Sequence, residues 1–282
     1  MAADQPERSE SGDAWASPDV ASGWQRGAAA RGQTMGPVTE LMLDLAGVKA
    51  GSRVLDLGAG TGDQAFMAAR RVGPEGVVLA TDISRAMLDV AQEAARAAGL
   101  GNVQTRVMDA QQLELASGSI DAVISRYCFQ FVPDLQRTLG EVRRVLKPGG
   151  RLAAMVFSAV EKNPYRAAPQ AIASRLAGRP FPEPGPGQWA INDPGTLTAA
   201  YQQASLRDVE VRSANLAWRF PSLDHALRNL EEAQPLFVKL LVDLSEEDRA
   251  TAWAEINRAL QPFVGQDGFE APGEVLIAAG TA

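Results

Sequence analysis

Between Val54 and Phe157 the chain alternates short apolar runs with stretches of helical length, and this alternation limits the folds open to it. The apolar runs are Val54–Leu57, Val77–Ile83, Val103–Val107, Ile120–Ser125 and Arg151–Phe157. Helical patterns lie between them: Gln64–Arg71, then about Arg85–Ala98 with Ser84 as N-cap and Gly99 as stop, then Leu135–Leu146. In the last of these, Leu135, Leu139, Val142 and Leu146 share one face, and Lys147-Pro148-Gly149-Gly150 makes the turn that follows. Strands joined through helices run parallel and need right-handed crossovers. The pattern therefore predicts an α/β fold with an open sheet and helices on both faces.

The first unit carries the most chemistry. Arg53–Asp63 reads RVLDLGAGTGD, a strand that passes through Gly58, Gly60 and Gly62 into a helix N-terminus. Glycines let backbone approach a ligand closely, and the first N–H groups of a helix have no internal partners. A dinucleotide fingerprint needs G-x-G-x-x-G. Here the run is one residue shorter, and Asp56 sits at the strand end. A carboxylate there repels a pyrophosphate and suits a cationic amino group, which argues against a nicotinamide cofactor.

Outside this core the signals are coarser. Residues 1–20 are rich in Ser, Asp, Glu, Pro and Ala and read as a flexible tail. Residues 21–50 read as an N-terminal helical cap, with Met35, Val38, Leu41, Met42 and Leu45 at spacings of three and four. Residues 52–158 read as a cofactor-binding core, and 159–200 and 221–265 as substrate-covering insertions within one domain spanning 21–282. Within the first insertion, 161–195 is proline-rich and reads as a lid or a disordered excursion. RDVEVRS, LAWRF and the closing EVLIAA (Glu274–Ala279) read as later strands, making about seven, mostly parallel.

Composition removes several functions. The formal net charge of −7 disfavours a broad nucleic-acid footprint. One cysteine, Cys128, forms no intramolecular disulfide, and with the single histidine, His225, it cannot build a zinc cluster. No apolar run approaches the roughly 20 residues that span a bilayer, and the first residues lack the apolar core of a secretory signal. These point to a cytoplasmic protein without metal, monomeric or homodimeric.

Three acids fall at the ends of the first three strands: Asp56, Asp82 and Asp109. Ligands of open α/β sheets lie beyond the carboxyl strand ends, so these groups can meet one ligand. Asp82 follows Gly62 by 20 positions, where an acid accepts ribose hydroxyls. Asp109 with Ala110 suits the exocyclic amine of a purine. Singly, each acid also serves as an ordinary cap or strand terminator. As a set, VLDLGAGTGD, ATDIS, MDAQQLEL, GSIDAVISRYCFQFVPD and EVRRVLKPGGRL resemble the successive motifs of class I S-adenosylmethionine-dependent methyltransferases. The likeness is strongest to the group that includes quinone-biosynthesis methyltransferases and covers Trp24 to Phe157. It implies a Rossmann-like fold and S-adenosyl-L-methionine as cofactor. It further implies that Asp56, Gly58, Gly60, Thr61 and Gly62 hold the methionine part, Asp82 the ribose, and Asp109 with Ala110 the adenine. Ser125 and Arg126 would line the methionine side. Ile83 and Met87 would pack on the adenosine, or belong to the core of the following helix.

The resemblance implies methyl transfer, by in-line displacement at the sulfonium, to a small, largely apolar or aromatic metabolite, in the manner of secondary metabolism. The alternatives are a cofactor-binding homologue that is non-methylating or regulatory, and a protein or RNA methyltransferase. The acidic balance and the lack of an Asn-Pro-Pro-Tyr-type motif after the fourth strand speak against the latter. An acidic acceptor needs its proton removed. Tyr127, which bonds the acceptor or simply packs, and His225, which caps a helix or acts as base, are the candidates; Cys128 and Glu161 are weaker. Trp24, Tyr127, Phe131 and Trp189 are candidate acceptor-site residues, and Phe129, Trp218 and Phe220 offer further apolar walls; each also fits an ordinary core.

Overall fold

The computed structural model describes Trp15 and residues 17–282. The expected tail of residues 1–20 thus lies mostly outside the described residues, but its end is corrected. Helix α1 starts at Pro18 with Ser17 as N-cap and runs to Arg26, followed by α2 over Ala28–Leu45.

The alternating core forms as its pattern predicts. Strands β1 (Arg53–Leu57), β2 (Val77–Asp82), β3 (Val103–Val107), β4 (Ile120–Arg126) and β5 (Leu146–Phe157) are all parallel. Helices α3 (Asp63–Val72), α4 (Arg85–Ala97) and α5 (Leu135–Val145) cross between them. Two strands at the far side complete an eight-stranded sheet: β6 (Arg207–Phe220) and β8 (Gly268–Thr281), with the two-residue β7 (Val264–Gly265) paired to β8. The order is β3-β2-β1-β4-β5-β8-β6, and β8 runs antiparallel to β5 and β6.

Successive side chains of a strand point to opposite faces, so a sheet covered on both sides needs near-continuous apolar strands. Val54, Ala122, Ile124, Ala153 and Met155 enter one core with α2, α3 and the covering helices. Leu55, Leu57, Val123, Leu152 and Ala154 enter the other, with α5 and with α7 (Pro194–Gln203).

The covering layer departs from the sequence reading. The proline-rich 161–195 segment contains a 13-residue helix, α6 (Pro164–Leu176). Pro164 occupies a first-turn position, where its missing N–H costs nothing, and Pro169 lies inside the helix. The expected strands 207–213 and 216–220 are one, because β6 pairs continuously with β8 from Glu210↔Ala279 to Phe220↔Phe269. β5 ends at Phe157↔Val275. The β6–β8 ribbon therefore continues past the carboxyl edge of the sheet and carries α8 (Leu223–Ala233), on which α9 (Pro235–Val242) and α10 (Glu246–Leu260) pack. α1 packs on both α4 and α8. Gly23 is required there, since a Cβ would lie 2.4 Å from the Glu232 carbonyl oxygen. Among the described residues no helix is long and apolar enough to cross a membrane.

Candidate functional site

The sheet's order reverses between β1 and β4, whose carboxyl ends lie side by side at Leu57↔Ser125. A crevice at such a switch point is where open α/β sheets bind ligands. The glycine turn rises from β1 at this place. Gly58 has φ +68°, and a Cβ on it would sit 2.5 Å from Cys128 Cβ, so the turn packs flush against the segment after β4.

Each strand-end acid has a distinct setting. Asp56 is fully buried. Its Oδ1 accepts from Gln64 Nε2 at 3.1 Å, while Oδ2 is buried with no partner. Burial raises its carboxyl to about 7, against the lowering effect of the Gln64 bond and of Arg126. Asp82 accepts the Gly60 N–H at 2.9 Å and the Ser84 N–H at 2.9 Å, so it braces the glycine turn against the start of α4. Burial pushes its carboxyl up, and the backbone donors of Ser84, Gly60 and Ile83 pull it back. Asp109 closes a local turn by accepting the Gln111 N–H at 2.8 Å. Both Asp82 and Asp109 keep oxygen lone pairs beyond these bonds.

The other sequence candidates separate by position. Ile83 is 38% exposed just after β2, a free apolar surface beside Asp82. Met87 is buried, with its N–H on the Ser84 cap, and belongs to the core face of α4. Ala110 is buried and Thr61 is half-turned into the protein by the Arg31 bond described below. Ser125 donates its hydroxyl to the Leu57 carbonyl at 3.0 Å and so stitches β4 to β1. Arg126 donates to Thr39 Oγ1 at 3.1 Å and to Asp63 Oδ2 at 3.1 Å.

Two residues that the sequence reading passed over organise the cap. Arg31, on α2, donates to Asp63 Oδ2 at 2.6 Å, to Thr61 Oγ1 at 3.2 Å and to the Trp24 carbonyl at 2.8 Å. Its guanidinium also lies 4.5 Å from the Trp24 ring centroid. Asp63 thus holds two arginines in the first turn of α3, where a negative charge is favoured. Burial alone would raise its carboxyl, but Arg31 and Arg126 overcome that and hold it below the usual range. Asp63 was legible, directly behind Gly62. Arg31 leaves a fainter signal: a cation four residues before Met35, in line with the apolar face of α2.

Aromatic side chains line the space between this cap and the sheet edge. Tyr127, with φ 61°, stacks on Phe157 at 4.3 Å, and Phe157 meets Trp189 at 5.6 Å. Trp189 is buried and bonds Gln170 Oε1 at 2.8 Å. Phe131 and Trp24 both meet Trp15, at 6.0 and 5.6 Å. Trp24, Arg31, Arg166, Trp218 and Phe220 line a common cleft under the helices.

Among the described residues no strong base faces this cleft. Burial pushes the Tyr127 hydroxyl well above its ordinary value and the Cys128 thiol up to about 12, so both keep their protons at neutral pH. His225 is exposed in the first turn of α8, its Nδ1 2.8 Å from Ser222 Oγ, where it supports the helix cap. Glu161 is exposed. Among the described residues no group of three or more metal-ligating side chains occurs.

The edge suits a ligand with one cationic and several neutral polar groups. The unpartnered Asp56 oxygen fits an ammonium, the spare lone pairs of Asp82 fit hydroxyls, and Ile83 offers an apolar face. S-adenosylmethionine has these features.

The stretch 48–178, just under half of the chain, matches the family described as "Methyltransferase domain". More particularly, it is similar to the ubiquinone/menaquinone biosynthesis C-methyltransferase UbiE. The match to the Vibrio cholerae protein is 38% identical over 117 residues, or 41% of this chain and 45% of that protein. For Teredinibacter turnerae it is 42% identical, covering 41% and 47%. The match spans less than half the length of these relatives. In fold the chain is similar to the YcgJ protein of Bacillus subtilis, with TM-score 0.56 and 21% identity over 86% of this chain and 97% of the other. It is also similar to a putative methyltransferase of Bacillus halodurans, with TM-score 0.55 and 19% identity over 86% and 97%.

Proposed function

We propose that the chain transfers a methyl group from S-adenosylmethionine to a small, largely apolar or aromatic metabolite. The observation that carries this reading is the buried, unpartnered Asp56 oxygen at a glycine turn whose Thr61 bonds Arg31, a residue of the aromatic cleft. When bound, the cofactor supplies an electrophilic methyl on a sulfonium. In this reading Asp56 takes the amino group, Asp82 the ribose, and Asp109 with Ala110 the adenine, while Ile83 covers the base. Tyr127, backed by the Phe157 ring stacked on it, offers a flat face to a planar acceptor, and α1 and α2 close over it through Arg31 and Asp63. Holding acceptor and methyl in line, away from water, supplies roughly 7–11 kcal/mol of the barrier without a base. Nothing in the cleft removes an acceptor proton, so the acceptor meets the methyl already ionised or as a neutral nucleophile. The UbiE relatives favour a quinone-like ring as acceptor and carbon as the methylated atom.

The test uses the whole purified chain with isotopically labelled S-adenosylmethionine and an extract of the native source, read by mass spectrometry. A labelled product that is absent with the Asp82→Ala variant supports the reading. Cofactor binding without product from any extract supports a non-methylating homologue instead.

A further inference from the structure

Arg166 is a buried cation that finds no anion among the described residues. It is 8% exposed, and its Nε is buried without a hydrogen-bond partner. Among the described residues its side chain makes neither a hydrogen bond nor an ion pair, in contrast to Arg31 and Arg126, which share Asp63. Rings surround it instead. Its guanidinium carbon lies 4.5 Å from the Trp218 centroid, 5.7 Å from that of Phe157 and 5.9 Å from that of Tyr165. Rings contact the face of a guanidinium, whereas its five N–H donors point outward in its plane. The donors stay unfilled, and burying a charge without a partner is strongly unfavourable.

The position makes this worse. Arg166 lies in the first turn of α6, a helix end that disfavours positive charge. Burial accordingly holds its guanidinium below the ordinary value, with Arg31 adding repulsion. The placement is nonetheless firmly built. Asn163, just before α6, donates to the Glu274 carbonyl at 3.0 Å and accepts the Glu274 N–H at 3.1 Å, fixing α6 to the β6–β8 ribbon. The Tyr165 hydroxyl, next to Arg166, donates to the Ala226 carbonyl at 2.8 Å. A surface arginine would need neither anchor.

Resting on the methyl-transfer reading, we propose that Arg166 is the specificity-determining residue for the acceptor, and that the acceptor is a planar apolar acid whose oxyanion it holds. The cleft that contains Arg166 also contains Arg31, Trp24, Trp218 and Phe220. Rings give it apolar walls and Arg166 gives it positive charge although the chain carries −7; at about 20 Å³ it is narrow, so a ring enters only as the helices over it part. An in-plane oxyanion fills the donors of Arg166 while the ring body lies against Trp218 and Phe220.

The experiment titrates the full chain, saturated with S-adenosylhomocysteine, with matched acid and amide probes: 2-naphthoate against 2-naphthamide, and cinnamate against cinnamamide. Calorimetry reads the affinities. Binding of S-adenosylhomocysteine itself, measured first, tests the methyltransferase reading separately. We expect each acid to bind ~10-fold or more tightly than its amide. Arg166→Gln should reduce that preference to within about 2-fold, mainly by weakening the acid, and Arg166→Lys should keep part of it. The Gln variant, relieved of its unpaired charge, should also melt no lower than the wild type. Equal affinity of acid and amide in the wild type overturns the proposal, as does an acid preference that survives in the Gln variant. So does cofactor-loaded protein that binds neither member of both pairs. If the Gln variant fails to fold, the wild-type acid-to-amide ratio and the Lys variant decide.

Discussion

The sheet edge and the layer above it solve opposite problems. At the edge the charged groups are acids, and two of the three are held by backbone: Asp82 takes two N–H groups and Asp109 one, while Asp56 has only Gln64. In the covering layer the buried charged groups are the cations Arg31 and Arg166; Arg31 is met by side chains and a ring, and Arg166, among the described residues, by rings alone. A carboxylate braced by backbone depends little on its neighbours' identities, whereas a buried arginine depends on what is brought to it.

The largest test of that contrast is Asp82→Ala. Removing the carboxylate frees the Gly60 and Ser84 N–H groups and loosens the turn as well as the proposed ribose contact. Affinity for S-adenosylmethionine, read by calorimetry, should fall ~100-fold or more, which is about 3 kcal/mol. Unchanged affinity would sink the ribose assignment. Asp82→Asn separates the roles: its amide oxygen still accepts one backbone N–H, so the fold should survive while affinity drops.

Next comes Arg31→Ala, which attacks the seam between the two regions. The variant removes the 2.6 Å pair with Asp63 and the bonds to Thr61 and the Trp24 carbonyl. Asp63 keeps Arg126, so the loss should sit at the lower end for a broken buried pair, ~3 kcal/mol. Chemical denaturation should show it as a lower midpoint. Cofactor affinity should fall ~10-fold as α1 and α2 lose their tie to the glycine turn. If stability and binding both hold, the cap is not fastened through Asp63.

Asp56 gives a pH signature. Its carboxyl lies at about 7 in the folded chain, against an ordinary 3.8, chiefly because burial disfavours the charge. Between those values the folded chain holds a proton that the unfolded chain has released. Stability therefore falls as pH rises through that window, by ~4 kcal/mol at most, and the deficit is complete above about pH 7. Asp56→Asn should abolish this slope and be more stable than wild type at pH 8. Conversely, an ammonium pairs with the ionised form only. Affinity for S-adenosylmethionine in the wild type should drop up to ~10-fold per unit as pH falls below about 7, and the Asn variant should lose that dependence. A flat profile in the wild type would mean that Asp56 is ionised throughout.

The same contrast explains what could be read from the sequence. Strand ends, glycine turns and caps are local, so Asp56, Gly60, Asp82 and the Ser84 cap were placed by spacing alone. The cover is assembled from segments far apart in the chain. Arg31 meets Asp63 across 32 positions, and Asn163 meets Glu274 across 111. No local pattern marks such pairs. Prolines mislead in 161–195, where the composition suggests a lid or a disordered excursion, because Pro164 sits where a helix tolerates it. The ribbon β6–β8 was undervalued for a related reason. Its outer half lies past the main sheet edge and keeps polar residues such as Arg219 and Glu270.

The smallest effect should come from the residue that looked most like a catalyst. His225 is the single histidine and the only side chain whose ordinary pKa suits a base at neutral pH. It sits exposed in the first turn of α8, with Ser222 Oγ accepting its backbone N–H and lying 2.8 Å from its Nδ1. Ser222→Ala should cost about 1 kcal/mol as a lost helix cap, and His225→Ala less, since the backbone half of the arrangement survives. Turnover of the labelled product should stay within about 2-fold of wild type in His225→Ala, with an unaltered pH profile. A loss of 100-fold or more, with the acid limb of the profile removed, would make His225 a base after all. It would also mean that α8 moves over the cleft during turnover, joining the two regions in the chemistry rather than only in the packing.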